Sequence, residues 1–207
     1  MGIKPFLVTS QRNVFVFDYK PMSTKTPLGP ARLDTNSRVI ETDRLRLRMF
    51  RPEDLNDFAA LLRDPEVMRY VEDGKPKDRA VAEKALHSII AHWQRHGFGR
   101  WAVEEKASGE FVGFGGLRSL SGTPEVVYHF AKAHWGKGFA TELARTSLSY
   151  GFDEHRFARI VAIANPENAA SIHVMQKLGM HLEMETSHYG IEVVQYAITA
   201  EEFEAKR

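Results

Sequence analysis

The stretch at positions 126–141, VVYHFAKAHWGKGFAT, constrains the fold of this chain more than any other segment. An apolar run that suits a strand comes first, and an amphipathic helix is predicted from Phe139 to about Glu154. Between them, Gly136 and Gly138 lack a Cβ, so the backbone can turn tightly and a ligand can approach its N–H groups. The first N–H groups of a helix have no intrahelical partner and lie at the positive end of its dipole. This junction therefore predicts an anion site that suits a diphosphate, and a tight turn without a ligand is the alternative.

Two common phosphate-binding loops do not fit the same residues. A Walker loop requires G-x-x-x-x-G-K-[ST], and the residues after Lys137, Gly-Phe-Ala-Thr, do not follow that pattern. A Rossmann fingerprint requires G-x-G-x-x-G near the start of a βαβ unit. The residues from Gly136 to Thr141 lack the third glycine and come past the middle of the chain. Both of these nucleotide-binding classes are excluded.

The hydrophobic pattern is regular over most of the chain. Leu45 and Leu47 alternate with arginines, as in a half-buried strand, whereas apolar residues in 82–93 recur at helical spacing. The predicted order is strand, helices, three strands, helix, strand, helix and two strands. This order predicts a mixed α/β fold in a single domain, residues 38–207. Residues 1–37 end in a polar stretch with proline and glycine, and they are predicted to be an N-terminal extension or linker.

Composition narrows the classes of function. The chain has 207 residues, with 28 Lys and Arg against 27 Asp and Glu, and this balance argues against a nucleic-acid partner. It has no cysteine, so disulfides, thiolate metal ligands and a cysteine nucleophile are excluded. No run approaches the ~20 apolar residues that cross a bilayer, and no secretory signal is present, so we expect a cytoplasmic protein without a membrane partner. His92 and His96 have a metal-ligand spacing but lack the glutamate of H-E-x-x-H, and we expect no metal.

Two segments resemble the signatures of a known enzyme family. Residues 135–142, WGKGFATE, look like the acetyl-CoA motif of the GNAT N-acetyltransferases, Q/R-x-x-G-x-G/A. Residues 165–171, NPENAAS, and 177–180, KLGM, look like the second signature of that family. With ETDRLRLR at residues 41–48, the pair is most similar to the RimJ/RimL type, which are ribosomal-protein N-terminal acetyltransferases. The resemblance covers residues 38 to about 198.

The resemblance implies a fold and a co-substrate. Members of the family have a twisted, mostly antiparallel sheet, here of about seven strands, with two splayed parallel strands in the middle and about four flanking helices. Acetyl-CoA binds with its pantetheine arm in that gap. By resemblance, the backbone at residues 130–132 would pair with pantetheine, and the amides of residues 136–141 would hold the diphosphate. The residues implied to bind acetyl-CoA are Phe130, Ala131, Lys132, Trp135, Gly136, Lys137, Gly138, Phe139, Ala140, Thr141, Asn165 and Asn168.

Two usual catalytic positions of the family hold residues that cannot exchange protons. Met175 stands where many relatives have the tyrosine that protonates the leaving thiolate, and Ile163 stands where some have a glutamate base. By resemblance to the branch, Ser171 is the candidate acid, with a surface hydroxyl as the alternative. Glu125 is the best remaining carboxylate for the base, with a solvated strand-end acid as the alternative. A base that acts through ordered water is also compatible.

These residues favour an N-acetyltransferase that moves acetyl from acetyl-CoA to a primary amine by direct attack in a ternary complex. The acceptor would be a protein N-terminal α-amine or a small-molecule amine, an antibiotic included. The alternative is an acyl-CoA-binding regulator without turnover, which Met175 and Ile163 suggest. Glu72 and Asp73 could attract a cationic amine, and the closing strands could mediate a homodimer. Asn165 precedes Pro166, so a helix cap is the alternative to its role at pantetheine.

Overall fold

The structure, a computed structural model, describes residues 39–188 and 190–207. The predicted extension at residues 1–37 lies outside the described residues. No helix in the described part is both long and apolar enough to span a bilayer. The strands are β1 (Ile40–Glu41), β2 (Leu45–Arg48), β3 (Arg100–Glu105), β4 (Phe111–Leu120), β5 (Thr123–Phe130), β6 (Arg159–Ala164), β7 (His181–His188) and β8 (Ile191–Thr199). The helices are α1 (Leu55–Arg63), α2 (Pro65–Met68), α3 (Arg79–His96), α4 (Phe139–Asp153), α5 (Ala169–Lys177) and α6 (Ala200–Glu204).

The strands form one sheet in the order β1-β2-β3-β4-β5-β6-β8-β7. Each neighbouring pair is antiparallel except β5 and β6, which run parallel. The predicted mixed α/β fold is thereby confirmed. The described sheet has eight strands rather than about seven because β1 has only two residues, too few to show alternation. Helix α6 has five residues and starts from a capping box between Thr199 and Glu202, so it is also too short to show a hydrophobic period.

Helix α3 follows the predicted pattern closely. The Asp78 side chain caps its start by accepting the Val81 N–H at 2.8 Å, and Gly97 ends it in a left-handed conformation at φ 74°. The apolar residues of 82–93 that recur at helical spacing are mostly buried. The helix therefore packs its apolar stripe into the core, as the spacing predicts.

The core has two main clusters that meet at β5 and α4. Trp93 belongs to the first cluster, which draws on β2, β3, α1 and α3, and Ile160 belongs to the second, which draws on α4, α5, β6 and β8. Tyr128 of β5 and Tyr150 of α4 pack against both clusters. The strand and helix on either side of the glycine loop therefore join the two halves of the domain.

His92 ties α3 to the sheet. Its Nδ1 lies 2.9 Å from the Phe98 carbonyl oxygen, and its Nε2 accepts the Ser119 N–H at 3.2 Å. Because Nε2 accepts, Nδ1 carries the proton and the ring is neutral. Burial, reinforced by the nearby charge of His96, lowers the pKa of His92 to about 4. Both ring nitrogens are engaged by backbone groups, so a metal could be shared with His96 only by breaking these bonds.

We expect His92→Leu to lower the free energy of unfolding by about 2 kcal/mol at neutral pH. The change leaves the Ser119 N–H and the Phe98 carbonyl without their partner, and an unmade hydrogen bond in the interior costs about 1–3 kcal/mol. Urea unfolding followed by circular dichroism measures the difference.

His87→Leu is the matched control, because His87 is exposed on the same helix and its loss should cost less than ~0.5 kcal/mol. The difference in free energy of unfolding between the wild type and His92→Leu should also become smaller as the pH is lowered. The folded-state pKa of His92 is about 4, below its usual value of 6.5, so the stabilisation is complete above pH 6.5 and is lost as pH falls through 4. Equal losses in the two variants at neutral pH would contradict the structural role.

Candidate active site

The parallel strands β5 and β6 join at one point and then separate. Their only register pair in the described structure is Glu125 with Val161. Strand β5 continues to Phe130 fully paired with β4 on its other side, and β6 continues to Ala164 paired with β8. Each strand is therefore held from outside while the space between them opens. This is the splayed pair that the family resemblance implies.

The glycine loop leaves a row of backbone N–H groups unused. Gly136 and Gly138 both take left-handed conformations, at φ 75° and 83°, and Gly138 is the N-cap residue of α4. The first bond of the helix is from the Glu142 N–H to the Gly138 carbonyl at 3.1 Å. Within the described residues, no protein group accepts the N–H groups of residues 136–141. Together with the positive end of the helix dipole, these donors fit a diphosphate.

The side chains of the loop hold it in place rather than fill it. Phe139 is buried in the first core cluster, so only its amide faces a ligand. The Trp135 indole donates to the Phe130 carbonyl at 2.7 Å, which folds the loop back onto the end of β5. Lys132 pairs with Glu66 of α2 at 3.4 Å. A Cβ built on Gly136 meets nothing within 4 Å, so the turn is open on that side.

Some of the backbone groups predicted to pair with pantetheine already have partners. The Ala131 N–H donates to the Val112 carbonyl at 3.0 Å, and an N–H donates only once. The Ala131 carbonyl accepts the His134 N–H at 2.9 Å, and the Lys132 carbonyl accepts the Trp135 N–H at 3.1 Å. Because a carbonyl oxygen can accept a second bond, the carbonyls remain available to a ligand and the Ala131 N–H does not.

The two asparagines have different local roles. The Asn165 side chain accepts the Glu167 N–H at 2.8 Å, in a turn that precedes α5. Asn168 is the actual N-cap of α5, and its side chain accepts the Ser171 N–H at 3.1 Å. The alternative that made Asn165 and Pro166 the start of the helix is therefore wrong, because the chain makes one turn before the helix begins. Both asparagines lie where β6 leaves the gap.

Ser171 has a neighbour that the sequence pattern did not reveal. The Tyr128 hydroxyl of β5 lies 3.0 Å from the Ser171 Oγ and 3.0 Å from the Ser171 carbonyl oxygen. Burial raises the pKa of Tyr128 to about 12, although the contact with Ser171 opposes that rise. Met175 is buried behind them in the second core cluster. The pair Tyr128–Ser171 thus joins β5 to α5 across the splayed strands.

The candidate base lies on the other face of β5. Glu125 is 1% exposed, and its Oε2 accepts from Arg118 Nε at 2.6 Å in a buried ion pair between β4 and β5. Residues 125 and 128 point to opposite faces because side chains alternate along a strand. The structure therefore does not bring Glu125 and Ser171 together on one face. His129 shares the face of Glu125, stacks on Phe114 at 4.6 Å, and has its pKa lowered by burial to about 3.

In the acidic loop after α2, a lysine of the same loop forms ion pairs with the two acidic residues. Lys77 Nζ lies 2.9 Å from the Glu72 carboxylate and 2.6 Å from that of Asp73. Hydrogen bonding to Lys77 is the main reason that the pKa of Asp73 is lowered. The attraction that Glu72 and Asp73 could exert on a cationic amine is therefore reduced by a lysine of the same loop.

Comparison with known proteins agrees with this geometry. The family model described as the acetyltransferase (GNAT) domain matches residues 44–181. The uncharacterized protein YkkB of Bacillus subtilis is 37% identical over 145 residues, which is 68% of this chain and 83% of that protein. The solved structure of a GNAT-family acetyltransferase from Bacillus anthracis is 27% identical, has a TM-score of 0.69, and the match covers 79% of this chain and 99% of that one.

A more distant solved structure shares the same fold. The ribosomal-protein-S5-alanine acetyltransferase from Vibrio fischeri is 16% identical with a TM-score of 0.65, and the match covers 80% of this chain and 98% of that one. At that identity the likeness shows the fold alone. The family match, by contrast, spans more than half of the sequence and includes the glycine loop and α5. This chain therefore belongs to the GNAT family and is an acetyl-CoA-dependent N-acetyltransferase.

Proposed function

We propose that this protein transfers acetyl from acetyl-CoA to a primary amine by direct attack in a ternary complex. The observation that carries the proposal is the row of unaccepted N–H groups at residues 136–141, beside the point where β5 and β6 separate. The donors would hold the diphosphate, and the pantetheine arm would lie between the strands with Asn165 and Asn168 at its side. The thioester would then lie near the pair Tyr128–Ser171.

Ser171 is the proposed acid for the leaving group. When the amine attacks the thioester carbonyl, the C–S bond breaks and its electron pair goes to sulfur, which needs a proton or a hydrogen bond. The Ser171 hydroxyl would supply it and would regain a proton from solvent, while the attacking nitrogen gives up its own proton to the base. Tyr128 would act as a positioning residue, because its O–H donates to the Ser171 carbonyl oxygen and its oxygen lies in contact with the Ser171 Oγ, so it holds the first turn of α5 that carries the serine.

Glu125 is the proposed base, acting through water. The amine and the sulfur share one carbonyl carbon, so a chain of water would have to carry the proton from the amine past β5 to Glu125 on its other face. The carboxylate is buried and bound to Arg118, so direct contact with an acceptor is hindered. An N-terminal α-amine, with an ordinary pKa near 8, needs less help than a lysine near 10.4, and we propose the α-amine as the preferred acceptor.

The alternative of an acyl-CoA-binding protein without turnover disagrees with the family assignment. Met175, a buried residue that cannot donate a proton, and Ile163 on β6 are the residues that suggested it. Calorimetry with CoA and an assay of free thiol from acetyl-CoA separate the two. Binding without thiol release, tested with N-terminal peptides, polyamines and aminoglycosides as acceptors, would favour the regulator.

A homodimer through the closing strands stays a prediction. Strand β7 lies at the edge of the described sheet, and Leu182 and Met184 on it are exposed. An exposed edge strand has unpaired backbone groups that a second strand can use. Sedimentation at micromolar concentration measures the mass in solution.

We expect Gly138→Val to weaken CoA binding by at least about 100-fold while the domain stays folded. A β-branched residue disfavours the left-handed φ of 83°, and the resulting shift of the loop moves the donors at residues 136–141. Titration calorimetry with CoA measures the affinity, and circular dichroism checks the fold.

Gly109→Val is the matched control. Gly109 also has a positive φ, at 72°, and a Cβ there meets nothing within 4 Å. It lies in the turn between β3 and β4, so the backbone strain is similar and the glycine loop is not touched. Unchanged CoA affinity in Gly138→Val would show that the loop is not the diphosphate site.

We expect Ser171→Ala to lower kcat by about 10- to 100-fold with little change in KM for acetyl-CoA, because the loss falls on the leaving group rather than on binding. Tyr128→Phe removes only the hydroxyl and should give a smaller fall in kcat. Release of free thiol from acetyl-CoA, with an N-terminal peptide as acceptor, measures both.

Ser187→Ala, at an exposed position of β7, is the control and should leave kcat unchanged. A fall in kcat for Tyr128→Phe with no change in KM for acetyl-CoA or in the free energy of unfolding would support the positioning role over simple packing. An undiminished rate in Ser171→Ala would remove that serine from the mechanism.

A further inference from the structure

The turn between β1 and β2 reaches the first turn of α4, about a hundred residues away in sequence. The Glu142 carboxylate accepts three hydrogen bonds from this turn and makes a close ion-pair contact with it. Its Oε1 accepts from Thr42 Oγ1 at 2.5 Å and from the Arg44 N–H at 3.0 Å. Its Oε2 accepts from Arg44 Nε at 2.7 Å and lies 2.6 Å from Arg44 Nη2. We call Thr42, Arg44 and Glu142 the brace.

The brace continues into the glycine loop. Arg44 Nη1 donates to the Lys137 carbonyl at 2.7 Å, and Lys137 stands between the two left-handed glycines. The guanidinium carbon lies 5.0 Å from the centre of the Phe139 ring. A Cβ built on Gly138 lies 3.4 Å from Arg44 Nη2, so the guanidinium also packs against that glycine. One arginine therefore fixes the peptide in the middle of the loop.

The turn that carries the brace is itself held. Thr42 Oγ1 accepts the Leu45 N–H at 2.9 Å, and the Thr42 N–H donates to the Leu45 carbonyl at 2.9 Å. Lys106 Nζ donates to the Thr42 carbonyl at 3.0 Å and pairs with Glu41 at 3.2 Å. The brace thus presents Arg44 from a fixed support rather than from a free chain.

The charges of the brace matter to an anion at the same helix end. A carboxylate in the first turn of α4 would by itself repel a diphosphate there. Burial would raise the pKa of Glu142, but the hydrogen bonds from Thr42 and Arg44 outweigh it and the pKa is lowered. The carboxylate is therefore charged and matched by the guanidinium of Arg44. The amides of residues 136–141 stay free for an external anion, with a half-exposed guanidinium beside them.

We propose that Arg44 is a positioning residue for the diphosphate of acetyl-CoA, acting through the brace and the Lys137 carbonyl on the shape of the glycine loop. This inference rests on the proposed function. It gives the sequence ETDRLRLR a role in the site, beyond the alternation of its strand. The alternative is a brace that only stabilises the domain.

The two explanations differ in which substrate is affected. If Arg44 shapes the loop that binds the diphosphate, its loss should weaken binding of acetyl-CoA. It should not weaken binding of S-acetyl-pantetheine, which lacks the diphosphate and the nucleotide. A brace that only stabilises the domain would affect both thioesters alike. The measurement is kcat and KM for each thioester, with an amine acceptor that the wild type uses, together with the calorimetric Kd for CoA.

The central variant is Arg44→Met, and Arg46→Met is its matched control. The two arginines are two positions apart, Arg44 just before β2 and Arg46 on it; their side chains are 49% and 47% exposed, and each pairs with a glutamate. We expect Arg44→Met to raise KM for acetyl-CoA and Kd for CoA by about 10- to 100-fold, the range for loss of hydrogen bonds to a charged group. Its kcat/KM for S-acetyl-pantetheine should stay within about 2-fold of wild type, and Arg46→Met should change neither.

Glu142→Gln gives a second, independent variant. It keeps the size of the side chain but removes the charge that orients Arg44, so we expect a smaller rise in KM for acetyl-CoA with S-acetyl-pantetheine unaffected. Arg44→Lys should not restore the affinity for CoA. A lysine ammonium lacks the planar, forked donors with which the guanidinium reaches both the Glu142 carboxylate and the Lys137 carbonyl.

The outcomes separate this inference from the function on which it rests. A wild-type protein that does not bind CoA contradicts the proposed function. Wild-type binding with an equal loss for both thioesters in Arg44→Met, or with no loss for either, overturns the positioning role and leaves the function intact. If the truncated thioester is turned over too slowly to measure, the calorimetric comparison of Arg44→Met with Arg46→Met decides, and equal Kd values for CoA overturn the role.

Discussion

The unpaired amides at the start of α4 determine how the other parts of the site are arranged. A helix always leaves its first N–H groups without intrahelical partners, and most helices cover them with a capping side chain. Here the N-cap residue is Gly138, which has no side chain to offer, and no protein group in the described structure accepts the amides at residues 136–141. Donors left unpaired in this way favour an external anion.

The remaining elements keep these donors exposed and place a channel beside them. Phe139 anchors the first turn of the helix in the core, and the Trp135 indole ties the loop to the end of β5. Strands β5 and β6 meet only at Glu125 and Val161, while β4 and β8 hold them from outside. A gap between two strands that are each paired on the other side can admit an extended ligand without unfolding the sheet.

The parts of the site that are contiguous in sequence could be predicted, because local spacing carries the information. The glycine loop, the helix after it and the strand before it follow from alternation, helical period and the absence of Cβ atoms at Gly136 and Gly138. The start of α5 shows the limit of such reasoning, since Asn165 and Asn168 are both good caps and only the path of the chain selects Asn168.

The contacts that could not be predicted join residues far apart in sequence. Tyr128 meets Ser171 across 43 positions, and Arg44 meets Glu142 across 98. Neither contact can be recognised from hydrophobic periodicity in the sequence, because each depends on which strands and helices lie next to each other in the fold. The ion pair of Glu125 with Arg118 is nearer, but it becomes visible only when the register of β4 and β5 is known. The spacing of the glycines therefore predicts where the site lies. The residues that surround the site can be identified only when the order of the strands in the sheet is known.

We propose that the free amides of residues 136–141 bind the diphosphate of acetyl-CoA. NMR chemical shifts and hydrogen exchange of these amides, recorded during titration with CoA, report on that contact residue by residue. We expect the amides to shift together, to saturate at the CoA affinity measured by calorimetry, and to exchange more slowly when the ligand is bound. Saturable binding of CoA that leaves the shifts and exchange rates of these amides unchanged would contradict it.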